Sequence, residues 1–207
     1  MLRLLAFLFL FVAAPAMAED GQEAPDGFSS IFLVAQKDSR DPFFRDSVVL
    51  VTHRIGPTPI GVILNRATGI TVENAIPDSD KASLKSELVF FGGPVGTDQV
   101  IVVFRAKNPP PNSVEIMQGI YMTMDREGIR SLLARNLSPK DIRFFAGYAG
   151  WAVGQLEAEV SGGGWILLRA DAATLFEKRS DGLWQDMYRK GSAKQARAGV
   201  GSALAPQ

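Results

Sequence analysis

Nine short runs rich in β-branched and aromatic residues, each stopped by glycine, proline or charge, limit what this chain can become. They are Phe28–Ala35, Val48–His53, Ile60–Leu64, Leu88–Phe91, Val100–Phe104, Val114–Met117, Ile120–Met124, Ile142–Phe145 and Trp165–Leu168. Runs of this length and composition are strand signals. Gly56-Pro57-Thr58-Pro59 separates two of them by a hairpin's length. Helical signals are fewer. Thr71 caps a short stretch ending at Ala75. Asp125 caps a segment reaching Arg135, in which Ile129, Leu132 and Leu133 recur at helical spacing. Two more short helices are predicted near Ala172–Glu177 and Leu183–Tyr188. Strands and helices do not alternate regularly, so the expected class is α+β with a curved, mostly antiparallel sheet and a few short packed helices.

The two ends read differently from the body. Arg3 precedes an apolar run, Leu4–Ala14, which Pro15 breaks before Ala16-Met17-Ala18. That is the layout of a secretory signal with a small-x-small cleavage site. The run is shorter than the about 20 residues a membrane-spanning helix needs, and an uncleaved anchor is the alternative. The reading is therefore a signal peptide at 1–18, a flexible lead-in at 19–27, a single domain at 28–190 and a disordered Gly/Ala/Ser tail at 191–207. The mature chain would start at Glu19, be exported to the periplasm of a two-membrane cell, and keep no membrane span. The chain has no cysteine, so it has neither disulfides nor a lipid attachment point. Its 22 basic and 22 acidic side chains form no basic stripe, which argues against a nucleic-acid partner.

Four segments stand out in order: Asp41-Pro42-Phe43-Phe44 leading to Ser47–Leu50 and His53; Gly61-Val62-Ile63-Leu64-Asn65-Arg66; Gly92-Gly93-Pro94-Val95; and Gly147–Glu159 followed by Trp165. Together they resemble the YqgE/AlgH family of largely uncharacterised bacterial proteins. The resemblance spans Phe32 to about Leu168 and implies a sheet bent into a pseudo-barrel with helices around it. There are departures. Ala67 stands where the family's Asn-Arg is followed by proline, and Phe104-Arg105 where a Leu-His pair is common. Family members usually lack a signal peptide. The family's link to transcriptional control of exopolysaccharide production does not carry over to an exported chain. A cytoplasmic regulator is the alternative if the N-terminus is not a signal.

The residues themselves offer candidates but no complete reaction centre. His53 is the only histidine, which leaves no multi-histidine metal site, and no metal or cofactor is expected. As a general base it would need a carboxylate and a nucleophile close by. Arg66 could grip an anion through its planar fork or form an ion pair with Glu157 or Asp41. Asn65 suits a local turn. Gly92-Gly93-Pro94 reads as a turn, since no helix or lysine follows to make a phosphate cradle. Gly147–Glu157 reads as the end of a strand, a glycine turn, and a helix starting near Trp151. Free N–H groups there could bind an anion. On that helix Ala152, Leu156 and Val160 share one face, Gln155 and Glu159 a second, and Gly154 and Glu157 a third. Tight glycine packing competes with a ligand site lined by Tyr148, Trp151 and Glu157. The expected function is a non-enzymatic module binding a small anionic ligand or a protein partner through Arg66, Tyr148, Trp151, Glu157 and His53. A hydrolase-type enzyme using Glu157 and His53 is the alternative.

Overall fold

Val48-Val49-Leu50-Val51 is apolar at every position rather than at every second one, and all four residues are fully buried. The reason is that both faces of the sheet are covered. The computed structural model describes residues 30–76, 83–135 and 137–203, so the expected signal and lead-in lie outside the described residues. The strands are β1 (Ser30–Ala35), β2 (Val48–Thr52), β3 (Ile60–Ile63), β4 (Ala67–Thr71), β5 (Leu88–Phe91), β6 (Val95–Arg105), β7 (Val114–Met117), β8 (Ile120–Thr123), β9 (Ile142–Gly150) and β10 (Trp165–Arg169). They form one sheet in the order β10-β1-β2-β3-β9-β6-β8-β7, with β5 also on β9 and β4 on β5. Every pairing is antiparallel except β5 with β9. The Ser30 hydroxyl donates to the Ile116 carbonyl at 2.7 Å, which brings β1 to β7 at the far end of that order. The sheet is thus curled into a half-barrel, the α+β architecture expected.

Alternation along each strand then sorts the core. Phe32, Val34, Val48, Leu50, Val62, Leu64, Ile101, Val103 and Phe145 point inward. Helices α4 (Ala172–Phe176) and α5 (Leu183–Ala203) close that side with Leu175, Phe176, Leu183 and Met187. The outward residues form two further clusters. Helices α1 (Val72–Ala75) and α2 (Arg126–Leu133) cover Val89, Val102, Phe104 and Phe144. Helix α3 (Gln155–Ser161) helps cover Leu33, Val49, Val51 and Ile63. Asp125 caps α2 as expected, its carboxylate accepting from the Gly128 N–H at 2.7 Å. Thr71 flanks α1 but makes no side-chain cap.

Several boundaries differ from the sequence reading. Strand β4 was not anticipated, because its Ala-Thr-Gly-Ile-Thr sequence is mostly exposed and carries no apolar run. Strand β9 continues to Gly150 instead of stopping at Phe145, and α3 begins at Gln155, not near Trp151. Helix α5 runs on to Ala203, through most of the stretch expected to be disordered. Gly191 explains part of this: it is buried, and a Cβ there would lie 2.5 Å from Ile166 Cγ2, so the helix is seated against β10 at that residue.

The glycine motifs mark a crossing. Ala146 of β9 has Phe91 of β5 on one side and Val100 of β6 on the other. Gly92, Gly93 and Pro94 must therefore carry the chain across the face of β9. A Cβ on Gly92 would sit 2.1 Å from the Gly147 carbonyl oxygen, and one on Gly93 would sit 2.2 Å from the Tyr148 carbonyl carbon. Gly147, at φ +69°, would meet Gly93 O at 2.5 Å and Val95 O at 2.8 Å. Backbone lies on backbone here, which only glycine permits. The expected turn at Gly92-Gly93 and the expected glycine turn after Phe145 are the two halves of one close contact.

Candidate functional site

Arg66 and Asn65 are spent on the loop that carries the Asp-Pro-Phe-Phe motif. The Arg66 guanidinium donates to the carbonyls of Phe43 at 2.6 Å and Arg45 at 3.2 Å, and lies 5.9 Å from the Phe91 ring centroid. Neither Glu157 nor Asp41 pairs with it. Asn65 Oδ1 accepts from the Val48 N–H at 2.9 Å, while its amide donates to Asp46 O at 2.8 Å. Its partners are thus 17 and 19 residues away, not in a local turn. Asp46 itself holds φ +54°, an angle Asp tolerates better than most residues. The Asn-Arg pair is a clamp on residues 43–48.

The same loop delivers Phe44 to the aromatic end of the outer cluster. Phe44 stacks on Trp151 at 6.3 Å and meets Trp165 edge-on at 5.8 Å. Both indoles are buried, and both donate to one oxygen, Glu159 Oε2, at 3.1 and 2.9 Å. Gln155 donates to the other oxygen at 2.9 Å. Glu159 is the engaged carboxylate of this segment, and Glu157 is exposed with no side-chain partner among the described residues. The Gln155–Glu159 spacing was visible in the sequence. That the two tryptophans would converge on Glu159 was not, because their meeting depends on the return of the chain from α3 to β10.

The five sequence candidates do not line one pocket. Tyr148 packs toward the inner core and Trp151 belongs to the outer cluster, so they lie on opposite faces of the sheet. His53 lies just past the end of β2, exposed, and has no side-chain partner among the described residues. Helix α3 has seven residues, and Gln155 Oε1 already accepts from the Ala152 N–H at its start. An open groove of about 650 Å³ lies elsewhere, between α1, α2 and β6, lined by Ile76, Asp98, Val100, Met124, Arg126 and Ile129 among others. Among the described residues no group of three His, Cys, Asp or Glu side chains could hold a metal ion, and no helix is long and apolar enough to cross a membrane.

Sequence reasoning passed over Arg143. It faces inward from β9, where it donates to Lys178 O at 3.0 Å and Leu64 O at 3.4 Å and lies 5.2 Å from the Phe90 ring centroid. Burial lowers its pKa from the usual guanidinium range, and the Glu87 carboxylate opposes that shift. Arginine remains protonated regardless, so the barrel holds an inward positive charge. A lone arginine inside a strand run was the available signal: Arg143 interrupts the apolar Ile142-Arg143-Phe144-Phe145.

A half-barrel α+β protein whose motif residues clamp its own loops is the class these observations define. The chain belongs to the AlgH-like family, DUF179, whose model matches residues 32–195. Among its relatives is a UPF0301 protein of Thioalkalivibrio sulfidiphilus, 32% identical over 87% of this chain and 95% of that protein. Another, from Mycolicibacterium gilvum, is 33% identical over 86% of this chain and 91% of its own length. The fold is similar to the solution structure of the AlgH protein from Pseudomonas aeruginosa, with a TM-score of 0.64 and 26% identity, covering 90% of this chain and 98% of that one.

Proposed function

We propose that this protein is an exported binding module that takes a small anionic ligand or a protein partner and does not itself catalyse a reaction. One observation carries the reading: the motif residues with chemical potential are committed to holding the chain together. Asn65 and Arg66 clamp residues 43–48, and Glu159 joins Trp151 to Trp165. His53 and Glu157, the acid–base pair a hydrolase would need, stand exposed without the supporting partners that position such groups. Export rests on the charged, apolar and small-residue layout of residues 1–18.

Two measurements test this. Fractionation of a two-membrane host expressing the full chain, followed by N-terminal sequencing, should find Glu19 as the first residue in the periplasmic fraction. Intact Met1 in the cytosol would overturn export and favour the cytoplasmic regulator. The purified chain should be inert toward phosphate-ester and glycoside substrates while being stabilised thermally by at least one anion of a ligand panel. Turnover that disappears in both Glu157→Gln and His53→Ala would replace the binding reading with the hydrolase.

A further inference from the structure

An inward-facing guanidinium without a counter-ion needs an explanation. Among the described residues no carboxylate lies within 4 Å of Arg143, and its two hydrogen bonds go to backbone carbonyls, one of them long. Two acceptors account for two of its five N–H donors, and since the side chain is only half-buried the others stay open to solvent or to a ligand. Desolvating a cation is costly unless an opposite charge compensates it.

A second arginine stands beside it. Val103 of β6 is the cross-strand partner of Arg143, and Arg105 lies two residues further along β6, on the same inner face. The Arg105 guanidinium is 5.2 Å from the Phe176 ring centroid, as Arg143 is from Phe90. Stacking a guanidinium on a ring covers its face and leaves its N–H edge able to engage an oxyanion in the plane. Arg105 also contacts Asp141 at 3.4 Å, with side-chain exposures of 43% and 35%. A half-exposed pair of that length is weak and exchangeable. Two carboxylates act on the pair: Asp141, on Arg105, and Glu87, which acts on Arg143 from beyond contact distance.

We propose that Arg143 and Arg105, backed by Phe90 and Phe176, form a binding site for an oxyanion, either a phosphate or a carboxylate group, on the inner face of β6 and β9. The site gives the binding reading above an address and rests on that reading. Arg143 supplies the half-buried anchor, and Arg105 turns from Asp141 to close on the ligand. The site differs from the one expected around Arg66, whose guanidinium holds the 43–45 loop.

The test uses the full chain as purified from its host, titrated with inorganic phosphate and, separately, succinate at constant ionic strength. Arginine Nε–Hε resonances are followed by NMR. A saturable shift of Arg143 and Arg105 is expected with at least one of the two anions, and which anion saturates distinguishes phosphate from carboxylate recognition. Arg105→Gln, a change at the exposed rim that should leave the fold intact by circular dichroism, should weaken that binding tenfold or more. Arg143→Lys keeps the charge but not the fork and should weaken it further. Shifts that rise linearly with both anions, or an affinity unchanged in Arg105→Gln, overturn the site. If other ligands of the panel still stabilise the protein, only the site fails and the binding reading survives.

Discussion

Gly147→Ala is the sharpest test of the chain crossing. The residue sits at φ +69°, where an L side chain costs roughly 1–2 kcal/mol. The added methyl would also lie 2.5 Å from Gly93 O and 2.8 Å from Val95 O. These are backbone atoms on a crossing strand, with no rotamer to retreat into, and overpacking of this kind costs about 1–3 kcal/mol. Together the expected loss is about 3–4 kcal/mol, a large share of the roughly 5–15 kcal/mol that holds a domain folded. Gly163→Ala is the matched control, since Gly163 has φ +76° and open space around the position of its Cβ. It should cost only about 1 kcal/mol. Urea unfolding followed by circular dichroism reads the difference directly. In thermal melts it corresponds to a fall of about 10 °C against about 3 °C, given the 2–4 °C per kcal/mol usual at this size. If both variants lose the same stability with unchanged m-values, β9 is not tightly bridged and the explanation of the paired glycine motifs is wrong.

Other outcomes follow from the clamps. Glu159→Gln removes the charge that two indole N–H groups share and should cost about 2–4 kcal/mol, with a change in tryptophan emission. Glu157→Gln should stay within about 0.5 kcal/mol, and equal denaturation midpoints for the two would show that the wrong carboxylate has been singled out. Asn65→Ala strands the N–H of fully buried Val48 and should cost about 1–3 kcal/mol. Arg66→Ala should chiefly speed amide hydrogen exchange in residues 43–46, and unchanged exchange there would refute its role as a clamp.

The strands that pack on both faces were legible because burial on two sides writes continuous apolar runs, as in Val48–Val51. Strand β4 was not, since an exposed edge strand is held by its neighbour's backbone rather than by its own side chains. Length failed at β9 for a similar reason: beyond Phe145 its residues are selected for a crossing chain, so glycine replaces the β-branched signal. The candidate residues were legible as types but not as partners. Asn65 and Arg66 looked like a turn and an anion fork, yet their partners lie about twenty residues upstream. Arg143 acquires meaning only from Leu64 and Lys178, 79 and 35 residues distant in the chain.

The bridge over β9 also has a consequence for the order of assembly. β3, β5 and β6 all border β9, yet they precede it in synthesis by some forty to eighty residues. Until residue 150 has left the ribosome, the centre of the sheet is missing, and the Gly92–Pro94 link has nothing to lie across. Such non-local closure is slow, because loop entropy must be lost before the contacts repay it. The chain is thereby kept from closing prematurely, and a strand near its end acts as the keystone. A nascent polypeptide with that delay keeps β1 to β6 from completing the sheet until late in synthesis, so a chaperone or any other factor that binds extended chain has most of that time in which to act.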